Sequence, residues 1–178
     1  MTTQENVLNT PNAEDEFVDP EYQEYLGELS EALLDGATFK DIQGIPESTM
    51  QGIYAFAYEF YQQGKLDEAE TFFRFLSIYD FYNSDYVMGL AAVYQLKKNY
   101  EKAVELYALA FMLAKDDYRP LFYAGQCNLL MKKNAAALHC FESTVNSSQD
   151  DDLKQRAQVY LSILTESLEN DENSSEIS

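Results

Sequence analysis

One histidine, two cysteines and twelve basic residues against 31 acidic ones are what this 178-residue chain has least of. Each shortage argues against a class of function. With a formal net charge of −19 the protein repels phosphate backbones, which disfavours direct nucleic-acid binding, and it is repelled in the same way by anionic membranes. No apolar run approaches the ~20 residues of a membrane-spanning helix. The first residues lack the basic start and apolar core of a secretory signal. Cys127 and Cys140 form no CxxC and have no histidine at ligand spacing, so no metal site is expected. They read as buried, reduced thiols of a cytoplasmic protein. His139 reads as a surface or partly buried side chain and not as a base, and no Gly-rich phosphate loop of the Walker type occurs. No carboxylate pair sits in an apolar setting that would split its pKa values. The expectation is a protein without cofactor, and not an enzyme.

What the chain does have is a repeat. Ala69, Ala103 and Ala137 lie 34 residues apart, and Phe73, Tyr107 and Phe141 follow each of them by four. Upstream, the same period joins Ile53, Val87 and Leu121, then Phe56, Leu90 and Ala124, then Ala57, Ala91 and Gly125. Small and aromatic residues in fixed slots of a 34-residue period are the tetratricopeptide pattern. The fold expected is all-α, with three helix pairs in a right-handed superhelix. Small residues let the two helices of a pair approach, and the aromatics fill the space beside them.

The chain divides accordingly. Residues 1–19 are acidic and read as disordered. Residues 20–49 hold an N-terminal helix, opened by Pro20 and closed by Gly36, then a connector through Ile45-Pro46. Its apolar face is Tyr22, Tyr25, Leu26, Leu29 and Leu33. Repeats follow at 50–83, 84–117 and 118–151, with turns at Gly64-Lys65, Lys97-Lys98-Asn99 and Lys132-Lys133-Asn134. Asn83 and Asp117 are placed to cap first helices, and Asn99 and Asn134 second ones. A helix over 152–168 should cap the last repeat through Leu153, Ala157, Tyr160, Leu161 and Leu164. Residues 169–178 read as a second acidic, disordered tail.

In such repeats the first helix of each pair lines the concave surface. Counting from Met50, Ser84 and Tyr118, slots two, five, nine and twelve point inward. They hold Gln51, Tyr54, Tyr58 and Tyr61, then Asp85, Met88, Ala92 and Gln95, then Arg119, Phe122, Gln126 and Leu129. An isolated aromatic stripe is more often core than binding surface. Here Phe56, Phe60 and Phe73 supply the core, which leaves the tyrosines for the groove. The candidate peptide-binding residues are therefore Tyr54, Tyr58, Tyr61, Met88, Ala92, Gln95, Phe122 and Gln126. Tyrosine offers a broad apolar face, a hydroxyl and little rotamer entropy to lose. An extended segment with spaced Pro and Leu side chains suits that surface, being partly ordered before it binds. A carboxylate-tipped peptide suits it less, because Arg119 alone makes no clamp.

The blocks Tyr54 to Tyr61, Gly64 to Leu76, Tyr79 to Asn83 and Met88 to Lys97 are distinctive. With Asp117-Tyr118-Arg119-Pro120 and Gly125-Gln126-Cys127, they closely resemble the class II chaperones of bacterial type III secretion, on the invasion-system branch. The resemblance spans roughly residues 20–165. It implies a cytoplasmic chaperone that takes an extended Pro-x-Leu-x-x-Pro segment of hydrophobic translocator proteins in its groove. Tyr54 and Tyr61 match aromatic groove positions of the family. Tyr107 matches a functional position too, although the repeat register makes it a packing residue. A homodimer, and an AraC-type transcription activator as a further partner, are also implied by the resemblance. A general peptide adaptor is the alternative that the repeats alone leave open.

Overall fold

Regular spacing of small residues has its counterpart in a stack of helices. The computed structural model describes residues 20–176, so the acidic stretch 1–19 lies outside the described residues. Two units are distinguished, 1–37 and 38–178. In the first, α1 covers Pro20–Leu34, and Tyr22, Tyr25 and Leu26 on its apolar face are exposed. Gly36 closes it at φ 90°, with the Ala37 N–H donating to the Ala32 carbonyl at 2.9 Å. This is the left-handed glycine cap expected of that position.

The second unit opens with α2 (Phe39–Ile42), a single turn. Thr38 and Asp41 cap it reciprocally, the Thr38 hydroxyl donating to Asp41 at 2.7 Å. Lys40 then donates to Asp80 at 3.0 Å and to Glu47 at 3.2 Å. Three helix pairs follow: α3 (Glu47–Gln62) with α4 (Leu66–Tyr79), α5 (Ser84–Leu96) with α6 (Tyr100–Leu113), and α7 (Arg119–Leu130) with α8 (Asn134–Ser147). The last helix, α9, is Asp151–Glu176. Each helix from α3 onward packs on the next in chain order.

All three turns within pairs use one device. Gly64, Lys98 and Lys132, again 34 apart, have φ of 71°, 60° and 59°. The next N–H in each case (Lys65, Asn99, Lys133) donates back to Phe60, Tyr94 or Asn128 at 2.9 Å. Such a bond satisfies a carbonyl that the ending helix would otherwise leave unpaired. Asn83 and Asn99 cap as expected, accepting from the N–H groups of Asp85 and Lys102. Asp117 accepts from the Arg119 N–H at 2.9 Å. Asn134 does not cap: α8 starts at that residue, Lys133 takes the cap position, and no side chain bonds there.

The small slots hold the pairs together. Ala57, Ala91, Ala69, Ala103 and Ala137 are fully buried, beside Phe73, Tyr107 and Phe141. At Gly125 a Cβ would stand 2.8 Å from the Phe141 ring, so that slot has no room for one. Phe56 corrects the expected core, being 59% exposed where Leu90 and Ala124 in the same slot are buried. Those two lie on helices with a preceding pair to pack against, whereas α3 begins the stack. The C-terminal helix also runs past the expected limit of 168, to Glu176, since no Gly or Pro stops it.

Two clusters make up the core. One joins repeats one and two with α7 and with Cys140 of α8; the other joins α7 and α8 to α9 through Phe122, Phe141, Leu153, Ala157 and Leu164. Behind the first, Lys97, just past the end of α5, bridges Glu70 at 2.7 Å and Asp67 at 2.5 Å on α4. The Tyr94 hydroxyl donates to Glu70 at 2.6 Å, and Arg74 pairs with the same carboxylate.

Candidate peptide-binding groove

Inward slots of α3 and α5, with Arg119 of α7, face one cavity of about 600 Å³. Its walls are Tyr54, Tyr58 and Tyr61 from α3 and Asp85, Met88, Gly89, Ala92, Gln95 and Leu96 from α5. Arg119 and Tyr123 close it from α7, and Phe73 and Tyr107 reach it from the second helices. Six of the eight candidate residues are thus brought together. Phe122 and Gln126 are not, and the expectation that they line the groove is corrected. Phe122 is fully buried, 5.7 Å from the Tyr160 ring and beneath Arg156, whose guanidinium lies 4.7 Å from its ring centroid. The Gln126 amide donates to the Tyr160 hydroxyl at 2.9 Å. A side chain from α9, Tyr160, covers this part of α7 instead.

The aromatic wall on α3 falls into two groups of rings. Tyr54 meets Phe73 edge-on at 5.9 Å and Tyr86 at 5.6 Å, while Tyr58 stacks with Tyr61 at 6.3 Å. Such contacts hold the rings in place, so a ligand orders them little further. Burial raises the pKa of the Tyr54 phenol, helped by the Asp85 charge. Burial does the same at Tyr61, with Tyr123 and Tyr58 adding to it. Both phenols are therefore neutral at physiological pH and able to donate hydrogen bonds.

Arg119 supplies the one cationic head in the lining, and it is already engaged. Its guanidinium meets the Asp117 carboxylate at 2.6 Å and Asp85 at 3.6 Å. An incoming carboxylate would have to displace those partners, which fits the expectation that no carboxylate clamp is built here.

Reading inward slots alone misses Gly89, Phe73 and Tyr123. A Cβ on Gly89 would stand 2.2 Å from the Phe73 ring, so only glycine lets that ring slide under α5 to the cavity floor. A glycine in a helix interior, where it costs stability, was the available signal. Tyr107 is 1% exposed, as the packing register expects, and its hydroxyl donates to Gln95 at 2.7 Å.

A tetratricopeptide-repeat family model matches residues 50–83 and 84–117. The chaperone protein SicA of Salmonella typhimurium is 61% identical over 134 residues, 75% of this chain and 81% of that protein. Among solved structures, PcrH of Pseudomonas aeruginosa in complex with the chaperone binding region of PopD superposes with a TM-score of 0.65. It is 29% identical, over 68% of this chain and 95% of its own. SycD of Yersinia enterocolitica, in complex with a peptide of the translocator YopD, gives a TM-score of 0.62 at 26% identity, over 68% of this chain and 95% of its own.

Proposed function

The chain belongs to the translocator-chaperone family of type III secretion, on the SicA branch, and we propose that its groove holds an extended segment of a hydrophobic translocator before export. One observation carries this reading: Tyr54, Tyr58 and Tyr61 stand beside Met88, Ala92 and Gln95 around a single open cavity. In two relatives of this fold the bound partner is a segment of another protein, the chaperone binding region of PopD in PcrH and a peptide of the translocator YopD in SycD. Neutral, pre-packed rings suit spaced apolar side chains, and burying such anchors supplies the affinity. No phosphate-binding loop is required, because release is left to the export machinery. The protein acts as a binder, not a catalyst.

The same reading places the chain in the bacterial cytoplasm. Cys127 and Cys140 fit that compartment, being free and buried, with burial pushing the Cys127 thiol up to about 12. A homodimer is part of the proposal, and the open end of the repeat stack, where Phe56 is 59% exposed, leaves apolar surface to cover.

Co-expression with the translocators of the same secretion system tests the function. Tyr54→Ala with Tyr61→Ala should reduce co-purification of the client at least tenfold, as expected for two aromatic anchors, which typically cost about 2 kcal/mol or more each. Co-purification equal to the parent would overturn the groove chemistry.

A further inference from the structure

Two cavity residues are joined in a way that sets what the groove can recognise. Tyr107 lies on α6 with its ring stacked 5.6 Å from Tyr123, and it is among the residues that line the cavity. That hydroxyl donates to Gln95 Oε1 at 2.7 Å. A side-chain amide has an accepting end and a donating end. With Oε1 held by the phenol, the Nε2 end has no protein acceptor among the described residues, and Gln95 is half-buried in the cavity wall. Burial raises the Tyr107 pKa, so the phenol keeps its proton and its role as donor.

We propose that Tyr107 is a positioning residue that locks Gln95 as a hydrogen-bond donor for a main-chain carbonyl of the bound segment. This rests on the chaperone reading above and adds a specificity element to it. A segment rich in proline has few N–H groups to give, yet keeps every carbonyl. Polar recognition of such a chain needs donors in the groove. Arg119 is spent on Asp117 and Asp85, and beside the Tyr54 and Tyr61 phenols Gln95 is the oriented amide in the lining. The cavity should therefore prefer an acceptor-rich extended backbone over a helix, whose carbonyls are bonded internally.

The test is calorimetric titration of the full chain with a synthetic peptide containing one Pro-x-Leu-x-x-Pro segment. Tyr107→Phe keeps the ring and removes the lock, and should weaken binding about three- to tenfold, the worth of an ordinary hydrogen bond. Gln95→Glu still accepts from Tyr107 but has no donor for the peptide, and should weaken binding more than tenfold. In the Gln95→Glu background, adding Tyr107→Phe should cost nothing further. Equal losses from Tyr107→Phe in both backgrounds would overturn the proposal, since Tyr107 would then act through packing alone. Gln95→Glu binding as tightly as the parent would also overturn it, and decides the matter if Tyr107→Phe fails to fold. A parent chain that does not bind the peptide would instead remove the chaperone reading itself.

Discussion

Slots five, nine and twelve have opposite fates at the two ends of the repeat array. In repeats one and two they hold Tyr54, Tyr58, Tyr61, Met88, Ala92 and Gln95, and they wall a cavity. In repeat three slot five is Phe122, fully buried, and slot nine is Gln126, bonded to Tyr160. The difference comes from the neighbour and not from the slot. Helix α9 packs where a fourth repeat would start, and Tyr160 stacks on Phe141 at 4.8 Å while meeting Phe122 at 5.7 Å. The same helix face is thus a cavity wall where the next element leaves it open and a core where that element closes over it.

The largest expected effect tests this contrast directly. Phe122→Ala should cost about 3–5 kcal/mol in denaturant unfolding, as removing a fully buried aromatic does. Tyr58→Ala, at a position 48% exposed, should cost under about 1 kcal/mol, in line with surface substitutions. Similar losses at the two sites would show that the two ends do not differ as described.

The parts visible in the sequence are those that packing dictates locally. Two helices of a pair cannot approach unless residues such as Ala57, Ala69, Ala91 and Ala103 are small, so the period is written in the chain. The turns are visible for a similar reason, since Gly64 and the Lys-Lys-Asn runs mark where left-handed backbone is needed. What could not be read depends on neighbours distant in sequence. Nothing about Phe122 itself shows that Tyr160 and Arg156 cover it, and nothing about Phe56 shows that it faces no preceding pair. Gly89 was readable in principle, as a helix-interior glycine that must make room for something. Asn134 looked like Asn99 and failed to cap because the helix begins one position earlier relative to it.

A smaller effect separates the two ends by pH. The end formed by α7, α8 and α9 is held by stacked rings, whereas α4 and α5 are also clamped by the Glu70, Lys97 and Tyr94 cluster. Hydrogen bonds from Lys97 and then Tyr94 hold the Glu70 carboxyl below its ordinary value. A depressed carboxylate stabilises the fold above its unfolded pKa of about 4.3, and that stability is lost as pH falls through the folded value. Glu70→Gln should therefore lower the urea midpoint at about pH 7, with the gap to the parent narrowing as the pH is taken down toward about 3. Amide exchange should show α4 and α5 loosening in acid before α8 and α9. A gap unchanged between the two pH values would remove the clamp from the comparison.

The smallest effect should be equal at both ends, and that equality sharpens the contrast. Lys98 lies in the open half and Lys132 in the closed half, yet both sit at φ near 60° in the same kind of turn. A side chain in that region carries a steric cost that glycine escapes, partly offset by glycine's greater freedom when unfolded. Lys98→Gly and Lys132→Gly should each raise stability by about 0.5–1 kcal/mol, measured by thermal or denaturant unfolding. The gain depends on one backbone angle and not on what packs nearby. Matching gains, beside unequal costs at Phe122 and Tyr58, would trace the asymmetry of the array to its long-range contacts. Unequal gains would mean that the two halves already differ within the repeat itself.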